Sequence, residues 1–283
     1  MKSAYFYLIT FSVLYCSLGL QAQTKKLVIL HTNDTHSRIE SLPATDKYYA
    51  GWGGVVNRKA LIDSIRSAEE NVLLLDAGDF VQGTPYFNLF KGRVETGAMN
   101  LLKYDAGTLG NHEFDYGLDT LKNILKSLHN PVVCCNYDFS ETPLKGMVKP
   151  YIILKKFGLK IGITGVGANP QGLILASNYE GMVFKPILAS VNECADKLRN
   201  KEKCDLIICL SHIGYDSGKG EPNDITLAES SNNIDLIIGG HSHTYMPQPD
   251  IRKNRNGKDV LIFQTGKSGA YIGKIEVEME KGK

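Results

Sequence analysis

A polar hexapeptide at residues 110–115, Gly-Asn-His-Glu-Phe-Asp, follows an apolar stretch and precedes a helical pattern. The side-chain oxygen of Asn111 can ligate a metal ion. The adjacent His112 can donate a proton to a substrate oxygen, and Asp115 can accept a hydrogen bond from the other ring nitrogen and fix the tautomer. These residue types in this order indicate part of an active site that combines a metal ligand with a proton-donating histidine.

Three other short segments and one further histidine contain the remaining candidate metal ligands. They are Asp34-Thr35-His36, Gly78-Asp79, Gly240-His241-Ser242-His243 and His212. Together with Asn111 they are enough for two metal ions, which in known centres lie about 3.5–4 Å apart and share a bridging carboxylate. Asp79 is the best candidate for the bridge, because the preceding glycine allows the backbone to approach closely.

The residues therefore predict a centre with two ions and four ligand side chains on each. One ion takes Asp34, His36, Asp79 and His243, and the other takes Asp79, Asn111, His212 and His241. Two divalent ions exceed the charge of the two aspartates, and that surplus suits a hydroxide and an anionic ester. We expect His31 and His129 to be structural residues and leave them out of the centre.

The elements predicted around these segments alternate between apolar strands and amphipathic helices, which is typical of an α/β fold. Five predicted strands end shortly before Asp34, Asp79, Asn111, His212 and His241, at residues 27–30, 72–75, 106–109, 206–210 and 234–238. Ligands of α/β proteins bind at the carboxyl ends of strands, where loops are held by a rigid sheet. We therefore expect the candidate ligands to converge.

The overall composition is that of an ordinary globular protein. The 283 residues are 43% hydrophobic and 22% charged, enough for one large domain or two small ones. A net charge of +2 is too small to indicate nucleic acid or an anionic membrane as a partner. Beyond the N-terminal segment, five cysteines without regular spacing do not form a disulfide framework, although one bridge between Cys194 and Cys204 stays open.

Residues 1–22 have the composition of a secretory signal peptide. Lys2 begins a short positive region, residues 4–20 are apolar and uncharged, and Ala22 offers a small residue at a cleavage site. We expect this segment to be removed, leaving one domain at residues 23–283 in the periplasm or outside the cell. A permanent membrane anchor is one alternative. A lipoprotein acylated at Cys16 is the other.

These segments, in this order, resemble those of the calcineurin-like metallophosphoesterases, and more narrowly the catalytic domain of the 5′-nucleotidase/UDP-sugar hydrolase group. The matching stretches are residues 31–36, 75–79, 110–117, 211–214 and 239–243. The resemblance implies a four-layer α/β/β/α sandwich of two mixed sheets and a dinuclear centre, for which Zn, Mn, Co and Fe all suit the ligands. It also implies that His112, oriented by Asp115, stabilises the transferring phosphoryl group.

The function that follows is hydrolysis of phosphate monoesters, with nucleoside 5′-monophosphates as expected substrates and a metal-activated hydroxide as nucleophile. The alternatives are a 2′,3′-cyclic nucleotide phosphodiesterase, a UDP-sugar hydrolase, a sulfur-ester hydrolase and a non-catalytic exported binding subunit.

Typical members of the group continue into a second domain that stacks the nucleobase between aromatic residues, whereas this sequence stops at Lys283. We expect a separate partner chain to carry that domain. The alternative is that loops at residues 48–52 or 169–180 supply the stacking surface.

Overall fold

The computed structural model describes residues 25–216, 218 and 220–279. The predicted signal peptide lies outside this part of the chain. The strands are β1 (Lys25–Thr32), β2 (Val72–Asp76), β3 (Ala106–Thr108), β4 (Val132–Val133), β5 (Tyr137–Asp138), β6 (Val148–Lys149), β7 (Tyr151–Lys156), β8 (Leu159–Gly167), β9 (Val183–Phe184), β10 (Leu206–His212), β11 (Leu236–Gly239), β12 (Asp250–Lys253), β13 (Asp259–Phe263) and β14 (Gly273–Met279).

Along the chain, four helices come between strands of the first sheet and two come between strands of the second sheet. They are α1 (Val55–Ala68), α2 (Pro85–Phe90), α3 (Arg93–Leu102), α4 (Gly117–Ser127), α5 (Ile187–Asp196) and α6 (Asp224–Ser230). Single 3₁₀ turns occur at His112–Phe114 and Ala176–Asn178, and a π-helical turn at Lys197–Lys201 extends α5.

Two six-stranded mixed sheets form the centre of the fold. The first has the strand order β14-β1-β2-β3-β4-β6, parallel except for β14. The second has the order β12-β13-β11-β10-β8-β7, parallel except for the two edge strands. A short antiparallel pair, β5 and β9, lies apart from both sheets.

Alternation along the strands divides the core into three apolar layers. In β1, Leu27 and Ile29 pack in the cluster between the sheets, whereas Val28 and Leu30 pack in the cluster under α1, α3 and α4. A third cluster lies between the second sheet and the helices α5 and α6. The predicted four-layer α/β/β/α sandwich of two mixed sheets is therefore confirmed.

Several boundaries differ from the sequence-based prediction. The sequence predicts a helix that begins within residues 51–54 and runs to about residue 70. Helix α1 begins later, at Val55, because Gly53 and Gly54 have φ angles of 70° and 79°, which a right-handed helix does not contain. Helix α2 and the short strands β5, β6, β9 and β12 were not predicted, since elements of two to six residues carry too little periodicity. The sequence also predicts a hairpin of residues 151–155 and 160–164, and the antiparallel pair β7 and β8 confirms it. In the part of the chain described here, no helix is long and apolar enough to cross a membrane.

Candidate metal centre

The candidate ligands lie at one edge of the fold, where both sheets end. Asp34, Asp79 and Asn111 follow β1, β2 and β3 of the first sheet, and His241 follows β11 of the second sheet. His212 is the last residue of β10 itself and is completely buried. The expected convergence is thus observed, and each sheet provides part of the site.

Two compact groups of side chains occupy this edge. In the first group, Asp34, His36 and His243 have candidate ligand atoms within 4.8 Å of one another. The Nε2 atoms of the two histidines are 2.9 Å apart, and Nε2 of His243 is 3.4 Å from Oδ1 of Asp34. Two imidazoles and a carboxylate that face one another at these distances are a suitable set of ligands for a divalent cation.

The second group contains Asp79, His212 and His241, also within 4.8 Å. Oδ2 of Asp79 is 3.1 Å from Nε2 of His212, and Oδ1 of Asn111 is 2.9 Å from Nδ1 of His241. Asp79 also forms a group with His36 and His112, so it lies between the two sets. This arrangement agrees with the predicted division of ligands. The assignment to individual ions stays a prediction.

The tautomer of His212 fits a metal ligand. Its Nδ1 donates a hydrogen bond to the carbonyl oxygen of Ala77 at 2.7 Å, while its buried Nε2 makes no hydrogen bond among the described residues. Burial lowers the pKa of His212, but the carboxylates of Asp79 and Asp34 outweigh it and raise the pKa to about 10. The negative charges of the two aspartates thus stabilise a positive charge at Nε2. A proton can supply that charge, and so can a divalent cation bound to Nε2.

The backbone is left-handed at five of the seven candidate ligands. The φ angles are 48° at Asp34, 47° at His36, 54° at Asp79, 74° at His241 and 55° at His243. From their spacing of two residues, the sequence predicts that Asp34 and His36 lie on an extended segment and point to the same side. They lie instead on a tight turn. Non-glycine residues rarely adopt this conformation, and they do so mostly where function requires a fixed geometry.

Hydrogen bonds between neighbouring loops hold these turns. The backbone nitrogen of Asp34 donates to the Gly78 oxygen at 2.9 Å, and that of His36 donates to the Asp79 oxygen at 3.0 Å. A Cβ on Gly78 would lie 2.6 Å from the Gly110 nitrogen, and one on Gly110 would collide with Oδ1 of Asp79. The glycines therefore allow the loops after β1, β2 and β3 to pack against one another.

Glu113 organises the centre, and the sequence-based assignment missed it. Its completely buried carboxylate accepts hydrogen bonds from the backbone nitrogens of Gly110 at 2.6 Å, Asp79 at 3.2 Å and Phe80 at 3.0 Å. Burial and the negative charge of Asp79 raise the pKa of Glu113. The position of Glu113 beside His112 was visible in the sequence, but no pattern showed that its side chain points inward.

Asn33 is the second residue that was missed. Its amide nitrogen donates to Oδ2 of Asp34 at 2.6 Å and to the Gly266 oxygen at 2.7 Å, and its amide oxygen accepts from the Thr265 nitrogen at 2.8 Å. Oδ2 of Asp34 also accepts from the His241 nitrogen at 3.0 Å. Asn33 thus orients a candidate ligand and ties the first loop to the segment between β13 and β14.

His112 and Asp115 form the expected pair. Nδ1 of His112 is 2.9 Å from Oδ2 of Asp115, and the His112 side chain is 31% exposed. Burial lowers the pKa of His112, but the hydrogen bond to Asp115 and the charge of Asp79 together raise it by more than burial lowers it. The net shift is therefore upward. The backbone nitrogen of His112 donates to Oδ1 of Asp79 at 2.9 Å. A partly exposed, readily protonated imidazole therefore lies beside the candidate metal ligands.

The two histidines left out of the centre belong to none of the three ligand groups found among the described residues. His31 is buried, its ring lies 6.0 Å from that of Phe263, and burial lowers its pKa to about 3. His129 is exposed.

The cysteines at 134, 135, 194, 204 and 209 are all free, and a hydrogen bond between the thiols of Cys194 and Cys135 raises the pKa of Cys135.

Comparison with known proteins identifies the family. A family model described as calcineurin-like phosphoesterase matches residues 27–245. The chain belongs to the calcineurin-like phosphoesterases. This family consists of metal-dependent phosphoric ester hydrolases, and all three candidate ligand groups lie within the matched region.

Its relatives include several nucleotidases. The chain is 33% identical to a snake venom 5′-nucleotidase of Naja atra over 91% of its own length and 51% of the relative's length. The crystal structure of a 5′-nucleotidase precursor from Thermus thermophilus matches with a TM-score of 0.80 and 35% identity, covering 89% of this chain and 51% of that one. The NAD nucleotidase of Haemophilus influenzae matches with a TM-score of 0.81 and 31% identity, over 91% and 48%. This phosphoesterase chain spans about half the length of these relatives.

Proposed function

We propose that this protein is an exported phosphoric monoester hydrolase that uses two divalent ions and acts on nucleoside 5′-monophosphates. The observation that carries the proposal is the convergence of two ligand groups, with Asp79 of the second group close to His36 of the first and the His112–Asp115 pair beside them. The relatives named as 5′-nucleotidases support a nucleotide as the substrate. The similarity that supports this substrate covers about half the length of each relative.

The ligand side chains suit the proposed ions, because carboxylate, amide and imidazole ligands together favour Zn, Mn, Co or Fe. When bound, such ions supply Lewis-acid stabilisation of phosphoryl oxygens and acidify a water that can act as nucleophile. Residues around the ligands keep the ligand side chains in position for the ions. Glu113 and Asn33 fix the loops of Asp79 and Asp34 before the substrate arrives, which reduces reorganisation during the reaction.

His112 is the proposed catalytic acid and electrostatic residue. In its protonated form Nδ1 donates to Asp115, and Nε2 retains a proton for a phosphoryl oxygen or the leaving alkoxide. Asp115 keeps the imidazole oriented and stabilises its positive charge. The upward shift of the His112 pKa increases the fraction of this form near neutral pH.

The proposed domain division is a signal peptide at residues 1–22 and one catalytic domain at residues 23–283. Export is supported by the apolar, uncharged run that follows Lys2. Proteomic detection of a mature N-terminus near residue 23 in a periplasmic or extracellular fraction would test it. A chain retained in the cytoplasm with its first residues intact would contradict export. A separate chain that covers the substrate site also stays a prediction.

The activity test uses purified protein with Zn, Mn, Co or Fe added in turn. We expect turnover of AMP and of p-nitrophenyl phosphate, loss of turnover with a chelator and recovery on adding metal back. A panel containing bis-p-nitrophenyl phosphate, 2′,3′-cyclic AMP and UDP-glucose separates the other ester classes. Preference for any of these over AMP would contradict the monoesterase proposal, and absence of turnover with every metal would favour a binding protein.

A further inference from the structure

A cavity of about 260 Å³ adjoins the candidate metal centre on the side of His243. His243 belongs both to the first ligand group and to the cavity wall. Aromatic rings form much of the remaining wall, from Tyr49, Tyr245 and Tyr271, while Lys267 adds a positive charge and Asp46 a negative one. An ester whose phosphoryl group lies at the metal ligands can therefore extend its leaving group directly into an aromatic space.

The rings form one continuous cluster. Tyr245 and Tyr271 are stacked, with ring centroids 4.2 Å apart and an interplanar angle of 23°. Tyr271 also meets Tyr49 and Trp52 edge-on, at centroid distances of 5.6 Å and 5.5 Å. Tyr245 and Trp52 are each 47% exposed, so large apolar faces of this cluster remain open to solvent. Exposed aromatic surface beside a polar site is typical of a binding surface.

The cluster is held in place by backbone contacts. Tyr245 forms an isolated bridge with Thr265, flanked by hydrogen bonds from the Met246 nitrogen to the Gln264 oxygen at 3.0 Å and from the Gly266 nitrogen to the Thr244 oxygen at 2.9 Å.

The loop that carries Trp52 is closed on itself. The Leu42 nitrogen donates to the Trp52 oxygen at 2.7 Å, and the Gly51 nitrogen donates to the Leu42 oxygen at 2.8 Å. Tyrosine and tryptophan also have few rotamers. Binding a flat ligand on these rings therefore costs little conformational entropy.

We propose that this aromatic cavity binds the nucleobase, or another planar part of the leaving group, of the phosphate ester. The inference deepens the proposed function and rests on it. The planar ligand stacks on the exposed face of Tyr245, while Lys267 attracts the anionic part of the substrate toward His243. The chain then supplies its own stacking surface, which is the alternative to a partner chain. The volume lies just below the range of about 300–1,000 Å³ for drug-sized ligands, which suits a base with part of its ribose.

A second cavity on the other side of the centre has different chemistry. It measures about 420 Å³ and adjoins His241. The other side chains of its wall are aliphatic, amide, hydroxyl and carboxylate groups, with acidic residues at Asp216 and Glu221. This wall has two carboxylates, no cation and no surface for stacking, whereas the aromatic cavity has one carboxylate, Asp46, together with Lys267 and three tyrosines. The aromatic cavity is therefore the better match for a base.

Binding can be measured without catalysis, because the chain contains one tryptophan and it lies in the cluster. Adenosine, titrated into the metal-loaded protein, should change Trp52 fluorescence saturably, and ribose should not. Tyr245→Ala should weaken adenosine binding by about 5-fold to 50-fold, the range expected for one stacked base. Phe90→Ala is the matched control, since Phe90 is an aromatic residue that is 43% exposed but does not line the cavity.

Kinetics give the second measurement. Tyr245→Ala should lower kcat/KM for AMP by a similar factor and leave kcat/KM for ribose 5-phosphate within about twofold, whereas Phe90→Ala should change neither. An equal loss for both substrates, or adenosine binding that survives both Tyr245→Ala and Tyr271→Leu, would overturn the aromatic site. Saturable adenosine binding in a protein without phosphatase activity would instead contradict the proposed function and leave the aromatic site standing.

Discussion

The carboxylate of Glu113 accepts a hydrogen bond from the backbone nitrogen of Asp79 at 3.2 Å, across 34 positions of sequence. The same carboxylate holds the nitrogens of Gly110 and Phe80. A completely buried acid from the loop after β3 therefore sets the backbone of the loop after β2, which carries the predicted bridging ligand. Glu113 thus has a structural role that its position in the sequence does not reveal.

Replacing Glu113 with Gln should weaken metal binding more than it changes the fold. The amide nitrogen of Gln cannot accept the hydrogen bonds that one carboxylate oxygen accepts, so buried N–H groups lose a partner, at a cost of about 1–3 kcal/mol each. We expect metal affinity to fall by about 10-fold to 100-fold, as for other residues that orient ligands. Metal titration and urea denaturation measure the two effects. Glu70→Gln, at an exposed position, is the control. Unchanged affinity in Glu113→Gln would contradict the organising role.

His112→Asn should separate the catalytic step from metal binding. We expect kcat to fall by about 10²-fold to 10⁴-fold with both ions still bound, because His112 is proposed to act on the reacting phosphoryl group. Elemental analysis and steady-state kinetics on the same sample provide the test. His129→Asn, an exposed histidine away from the centre, should keep full activity. Loss of an ion from His112→Asn would show that His112 is a ligand.

Asp79→Asn should act on the metals first. The substitution removes a negative charge that lies between the two ligand groups, so we expect metal content to fall to one ion or none and activity to fall with it. The comparison variant is Asp119→Asn, at an exposed position of α4. Two ions per chain in Asp79→Asn, measured by elemental analysis, would rule out the bridging assignment.

Asp224 predicts a pH dependence of stability. Burial raises its pKa to about 7 and outweighs the hydrogen bond that Oδ1 accepts from Ser211 at 2.5 Å, which lowers the pKa. Oδ2 has no hydrogen-bond partner among the described residues. The folded state thus binds this proton more tightly than the unfolded state, whose carboxyl titrates near 3.8. The contribution of Asp224 to stability is therefore fully present below about pH 4 and is lost as the pH rises to about 7.

The variant Asp224→Asn cannot ionise and should not show that loss. Relative to wild type, its free energy of unfolding should increase by on the order of 1–3 kcal/mol between about pH 4.5 and about pH 7.5. Urea denaturation at the two pH values measures the difference, in which other titrating groups cancel. Asp119→Asn should show no such change. A constant difference between Asp224→Asn and wild type would mean that Asp224 is already ionised at the lower pH.

The convergence of the candidate ligands could be predicted because strand ends are visible in the sequence. Apolar runs that stop before Asp34, Asp79 and Asn111 are enough to bring these side chains to one edge of a sheet. The left-handed backbone at His36 and the inward direction of Glu113 could not be predicted. Both depend on contacts between loops far apart in sequence, and a local pattern carries no record of them.

The distribution of candidate ligands over the two sheets has a mechanical consequence. Asp34 and Asp79 extend from the first sheet, and His212 and His241 extend from the second. An ion held by residues of both sets is a non-covalent cross-link between the two halves of the sandwich. Amide hydrogen exchange at the ends of β2 and β10 should therefore slow together when metal is added, even though the two strands belong to different sheets.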